Sequence, residues 1–340
     1  MNSPRMASHR MRLEFRAVRV AGLVACLWLS WAMVPRAGDE PPDPSALADP
    51  RPPANEDDLR YWLQNLVWYH RFTPEEISAA TGMTREAISA ALDRLNIRPE
   101  DRPHRPVGAP LTVLAYPGGR HPRLGFLEGA LRPQRETKVS VFTPWDEASY
   151  VVADVPEAIW SNLGLTYLAH THVETIWSRQ GIELERLEWT RHEDGSLAVE
   201  RRLPNGICFG TRVVPAADCV RMKMWLVNGT DKPLSGLRVQ QCVMLGGAAG
   251  FAEQTNENKV FEPPYACARD ASRRRWIITA WVPNHRTWGN ERCPCLHSDP
   301  QFPDCAPGET VFVRGWLSFY EGADLHGELA RIERSGWWEE

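Results

Sequence analysis

Two short stretches hold most of the residues whose types and spacing could do chemistry. The first is Leu165-Thr-Tyr-Leu-Ala-His-Thr-His-Val-Glu-Thr-Ile-Trp177. Side chains alternate along an extended segment, so His170, His172 and Glu174 would project from one face. Two imidazoles and a carboxylate on one side either hold a divalent metal or exchange protons with a substrate. The same pattern also serves histidines that are only hydrogen-bonded on a β-face. The second stretch is Cys293-Pro-Cys-Leu-His297, followed by Asp299 and Cys305. Three cysteines in one connection point to disulfide stapling of the loop, to a Cys₃His metal site, or to buried free thiols. His297 and Asp299 would then sit on a stiff rim. His172 and His297 are the expected proton-transfer groups, with His170, Glu174 and Asp299 beside them. No organic cofactor is called for; a divalent metal at His170, His172 and Glu174 is the alternative.

Candidate ligand contacts lie elsewhere in the chain. Arg135 and Lys138, followed by Trp145, would grip and stack on an anionic ligand, or else form a solvated charge run before a strand. Trp288 belongs to the cysteine-rich connection. Thr310 to Tyr320 reads as a strand with Phe312, Arg314, Trp316, Ser318 and Tyr320 on one face and Val311, Val313, Leu317 and Phe319 on the other. An open aromatic face with a cation suits stacking; buried between layers, it would be core. Asn256, Asn258 and Lys259 form a polar insert with no assigned role.

These residues need strands to position them. From Leu111 to about Ile332 short strands alternate with turns. Val220 to Val227 puts Val220, Met222, Met224 and Leu226 on one face, and Leu187 to Arg202 reads as a hairpin turning at His192-Glu-Asp-Gly-Ser196. No helical pattern recurs between the strands, which argues against parallel βαβ units. The expected fold is mainly β: a large antiparallel β-sandwich over 111–335, preceded by a small three-helix unit over 56–97. Proline-rich stretches, 38–55 and 98–110, act as linker and connector. His285 to Gly308 reads as one long ordered loop.

The segment Thr73-Pro-Glu-Glu to Leu92 has a capping box, a glycine turn at Gly82 and a second cap at Thr84. It resembles a DNA-binding helix-turn-helix. Its third helix, however, offers only Arg85 and Arg94 beside Glu86 and Asp93, too little cation for phosphates. A packing or protein-contact role is expected, and no nucleic-acid partner. Residues 1–37 place several arginines ahead of the apolar run Val20 to Val34, the pattern of an export signal or N-terminal anchor. These residues carry six Arg and one Glu. Without them, 33 of the 39 basic and 42 of the 43 acidic residues remain, a charge of about −9 that repels nucleic acid. Membrane contact would come only through that segment. Seven cysteines remain beyond it, and an exported chain would pair some of them.

The hairpin around Asn228-Gly-Thr-Asp-Lys-Pro-Leu234 resembles that of galactose-mutarotase-like supersandwich domains. The whole chain is similar to exported bacterial proteins with a helix-turn-helix-like front. The resemblance implies a supersandwich and a carbohydrate or other polar small molecule as ligand, with epimerase, lyase or hydrolase-like chemistry. A non-catalytic binding module is the alternative, and a membrane-tethered DNA-binding regulator a third reading. The family pattern places a histidine soon after the second strand. Gln240, Gln241 and Cys242 occupy that region here, so the family's catalysis does not transfer.

Overall fold

A computed structural model describes residues 50–120, 135–169 and 173–339. These belong to one compact unit, 42–340. The leader, His170 and His172 lie outside the described residues. Among the described residues, no helix is long and apolar enough to cross a membrane.

The chain begins with α1 (Glu56–Gln64), which runs on as a wider turn over Asn65–Tyr69, then α2 (Pro74–Thr81) and α3 (Arg85–Leu95). The capping box forms as the sequence requires: the Thr73 side chain accepts from Glu76 N and Glu76 returns a bond to Thr73 N. On α3, Arg85 is ion-paired with Glu75 and Arg94 with Glu56. The helices pack on the sheet: Asn65 Nδ2 donates to the Ala115 carbonyl, and His70 Nε2 lies 2.7 Å from Ser140 Oγ.

The strands follow as β1 (Val113–Ala115), β2 (Lys138–Phe142), β3 (Tyr150–Ser161), β4 (Gly164–Leu168), β5 (Thr190–Arg191), β6 (Leu197–Arg202), β7 (Cys208–Pro215) and β8 (Cys219–Val227). The remainder are β9 (Val239–Met244), β10 (Lys259–Glu262), β11 (Tyr265–Arg269), β12 (Arg275–Val282), β13 (Asn284–Trp288), β14 (Cys295–Pro300) and β15 (Thr310–Glu321), with α4 (Leu325–Arg334) last. Every strand pairing among the described residues is antiparallel. One sheet has the order β1-β2-β3-β9-β14-β13 with β4 alongside β3; the other has β10-β11-β12-β15-β8-β7-β6-β5.

The two sheets share a core. Val139, Val141, Val151, Ala153, Val155 and Leu296 from the first sheet belong to the same buried cluster as Val220, Met224, Leu226, Ile277, Val313 and Leu317 from the second. This is the β-sandwich expected from the alternation, and β8 turns inward the residues that its pattern nominated. Gly315 on β15 is required by close approach: a Cβ there would lie 2.5 Å from Trp281 Cε2.

Two expectations are corrected. The segment from His285 to Gly308 is not a single loop, because β13 and β14 pair within it and β14 then pairs with β9. The face of β15 that carries Trp316 is not an open platform. Trp316 is buried, with Trp276, Tyr265 and Ile278, under Leu325, Leu329, Ile332 and Trp337 of α4 and the turn after it. An amphipathic C-terminal helix thus closes the outer face of the second sheet.

Candidate functional site

The first sheet carries a chemically loaded rung on its outer face. Lys138 on β2 pairs with Asp154 on β3, and Asp154 with Cys242 on β9. Continuing the β9–β14 register puts Cys242 opposite His297, which pairs with Trp288 on β13. Directly opposed residues share a face, so five strands present lysine, aspartate, cysteine, histidine and tryptophan in one line. Lys138 and Asp154 are fully buried, Nζ 3.0 Å from Oδ2. The register shifts between Asp154 and Ala158, and Gln240 Nε2 reaches the Glu157 carboxylate at 2.9 Å.

His297 is held from three sides. Its Nδ1 is 2.7 Å from the Gln241 carbonyl and therefore carries the proton, while Nε2 lies 3.3 Å from Cys295 Sγ. The Trp288 ring is stacked on it, centroids 3.9 Å apart at 13°. Asp299 braces this arrangement: Oδ1 accepts from Gln241 N, and Oδ2 accepts from Arg286 Nε and Trp288 Nε1, the latter two at 2.7 Å. Burial alone would disfavour the imidazolium, but Cys242, Glu157 and Asp299 outweigh it and raise His297 to about 9. A bond with Cys242 favours the Cys295 thiolate, yet contact with Cys293 and burial prevail and push that thiol up to about 12.

Cys242, Cys295 and His297 offer ligand atoms that all lie within 4.8 Å of one another, and all three residues are buried. Two sulfurs and an imidazole nitrogen form a set suited to zinc. The described cysteines are all free thiols, so the expected stapling disulfide is absent. Cys305 is also remote from the cluster: its segment bridges to Leu234, and its thiol donates to the Glu309 carbonyl.

The other nominated residues do not converge here. Glu174 is exposed and 3.8 Å from Arg179. Arg135 does not grip an external anion: it is buried over the Trp62 ring and paired with Glu188. Lys138 is likewise internal. Trp145 packs on Phe251 and Phe319, with Arg275 over its ring. The sequence reading missed Cys242, Asp154 and Glu157 as site residues. The signal for the carboxylates was present, since two acids interrupt the apolar strand Tyr150–Ser161. Cys242 is brought to the site only by sheet register.

No family model matches the chain, and no curated protein does. Among solved structures, a human-microbiome protein provisionally assigned as a kojibiose phosphorylase is similar at TM-score 0.28 and 5% identity, covering 42% of this chain and 20% of its own. A polysaccharide lyase is similar at TM-score 0.32 and 10% identity, over 57% of this chain and 32% of its own. A Synechocystis sp. PCC 6803 protein is similar at TM-score 0.32 and 11% identity, over 64% of this chain and 97% of its own. The chain thus spans a minor part of either carbohydrate-active enzyme. Likenesses this slight carry no inference about activity.

Proposed function

We propose that the protein binds a divalent transition metal, zinc by its donor set, on the outer face of the first sheet, and that this centre organises a site for a hydroxyl-rich ligand of the carbohydrate class. The observation that carries the reading is the mutual approach of Cys242, Cys295 and His297 within 4.8 Å, with His297 Nδ1 donating to Gln241 O. A metal-binding histidine characteristically gives its second N–H to a carbonyl or carboxylate, which fixes the tautomer and aims the other nitrogen at the ion. Buried thiols beside an imidazole also gain from a metal what they would otherwise lose to desolvation.

The carbohydrate part is supported by a polar pair beside that rung, past the register shift. Glu157 with the half-buried Gln240 offers a donor and acceptor pair of the kind that reads hydroxyl groups. Proton transfer to such a ligand falls to Glu157 rather than to His297, both of whose ring nitrogens are engaged. His170 and His172 follow Ala169 in sequence, and Ala169 N donates to the Glu157 carbonyl; they are the remaining candidates for an epimerase, lyase or hydrolase-like role. A binding module without catalysis uses the same groups. Export, suggested by the leader, fits a centre in which metal keeps thiols from pairing in an oxidising compartment.

The test compares chelated and zinc-loaded full-length protein on a panel of neutral and acidic oligosaccharides. Zinc is expected to raise the melting temperature and to be required for oligosaccharide binding. Equal melting with and without zinc overturns the metal centre; oligosaccharide binding by neither form overturns the ligand class.

A further inference from the structure

Building on that metal reading, we infer that Cys293 supplies the fourth ligand, closing a Cys₃His tetrahedron that fastens the β13–β14 hairpin to β9, so that the metal is structural rather than an open catalytic ion. Zinc needs four donors in a structural site and leaves one position to water in a catalytic one. Cys242, Cys295 and His297 provide three, and the identity of the fourth decides the class.

The chain delivers Cys293 to this position. Cys295 N donates to the Cys293 carbonyl at 2.8 Å across Pro294, a tight turn that folds the first cysteine back beside the second. Both are buried in the cluster that contains Cys242, Tyr116, Phe142, Tyr150 and Met244. The nearby carboxylates are otherwise engaged: Glu157 with Gln240, and Asp299 with Gln241, Arg286 and Trp288. Cys293 lies outside the mutually close trio, so ligation draws it inward toward the roughly 2.3 Å zinc–sulfur distance.

Charge supplies an independent argument. Three thiolates on a divalent ion leave a net negative centre, and a buried charge needs a partner. Lys259 is a buried cation whose side chain packs against Gly289 of the same hairpin connection. Its position is built in: Nζ is 3.2 Å from Asn256 Oδ1 and also donates to the Thr255 carbonyl. Gly289 admits its stem, since a Cβ there would meet Lys259 Cδ at 2.8 Å and Asn256 Oδ1 at 2.7 Å. Asn256 Nδ2 donates to Gly289 O, tying the polar insert to the hairpin. The insert around Asn256 to Lys259 thereby acquires a role as the cationic lid of a thiolate centre.

The experiment loads full-length wild-type protein and the Cys293→Ser variant with Co²⁺ and records the sulfur-to-cobalt charge-transfer band. The variant is expected to bind one equivalent with tetrahedral d–d bands and about two-thirds of the wild-type charge-transfer intensity, with zinc affinity lowered at least about tenfold. Unchanged intensity overturns the assignment of Cys293 and leaves the fourth position to water. A folded wild type that takes up no cobalt overturns the underlying metal reading instead. Zinc X-ray absorption on the wild type answers without a variant: three sulfurs and one nitrogen are expected, and two sulfurs with two lighter donors contradict the closed centre.

Discussion

Lys138 and Asp154 give the sharpest energetic test of the outer-face rung. Their charged atoms are 3.0 Å apart, both side chains are fully buried, and Thr137 Oγ1 donates to the other Asp154 oxygen at 2.6 Å. Replacing Lys138 alone with methionine keeps the volume but strips the carboxylate of its countercharge. Such a change costs about 3–5 kcal/mol, whereas replacing both partners with apolar residues is often neutral or stabilising. At about 2–4 °C per kcal/mol for a domain of this size, Lys138→Met should lower the melting temperature by roughly 6–20 °C. The double variant Lys138→Met/Asp154→Leu should recover most of that loss. Urea denaturation at pH 7, with m-values compared across the three proteins, separates stability from changes in compactness. A single variant that loses less than about 1 kcal/mol would show that the buried pair is not the electrostatic element inferred here.

Other outcomes follow from the same geometry. His70 is buried beside Phe142 and Tyr150, and burial, with Arg120 and Arg102 adding to it, lowers its pKa to about 3. The unfolded chain therefore binds a proton below about pH 6.5 that the folded chain refuses. Stability should fall as pH drops from 6.5 toward 3, by about 2 kcal/mol between pH 7 and 5, and His70→Gln should abolish that component in urea titrations at the two pH values. The Glu76 carboxylate, held low by Arg120 and Thr73 despite partial burial, contributes stability that is fully present above the ordinary carboxylate range and is lost only as pH falls below it, so the two are separable. Trp337→Ala should uncover Trp316 and cost about 3–5 kcal/mol, with tryptophan emission shifted to the red. Asp299→Asn should loosen His297 and lower zinc affinity about 10–100-fold in a competitive chelator titration, while leaving the thiol ligands in place.

The sandwich was legible because its strands alternate. Val220, Met222, Met224 and Leu226 face the core as their spacing requires, and β15 divides its two faces as read. What alternation could not show is what covers an outer face. Trp316 looked available because the helix that buries it lies beyond the strand, and a helix docking on a sheet leaves no mark in the strand's own period. β14 was hidden for a different reason: Cys295-Leu-His-Ser-Asp-Pro300 has little β-propensity, and pairing with β9 and β13 forms the strand against that local preference. The site was half visible. Cys293, Cys295, His297 and Asp299 stand close in sequence, whereas Cys242 lies on a distant strand and reaches them by register. Arg135 and Lys138 read as a surface grip because sequence shows a charge but not the Glu188 or Asp154 that neutralises it.

The metal centre is tested most directly by elemental analysis of full-length protein purified without chelators or a histidine tag, alongside the Cys242→Ser/Cys295→Ser variant. The wild type should carry close to one equivalent of zinc per chain and the variant less than about a tenth of that. A folded wild type with no stoichiometric metal, or a variant that retains its full complement, would contradict the metal centre.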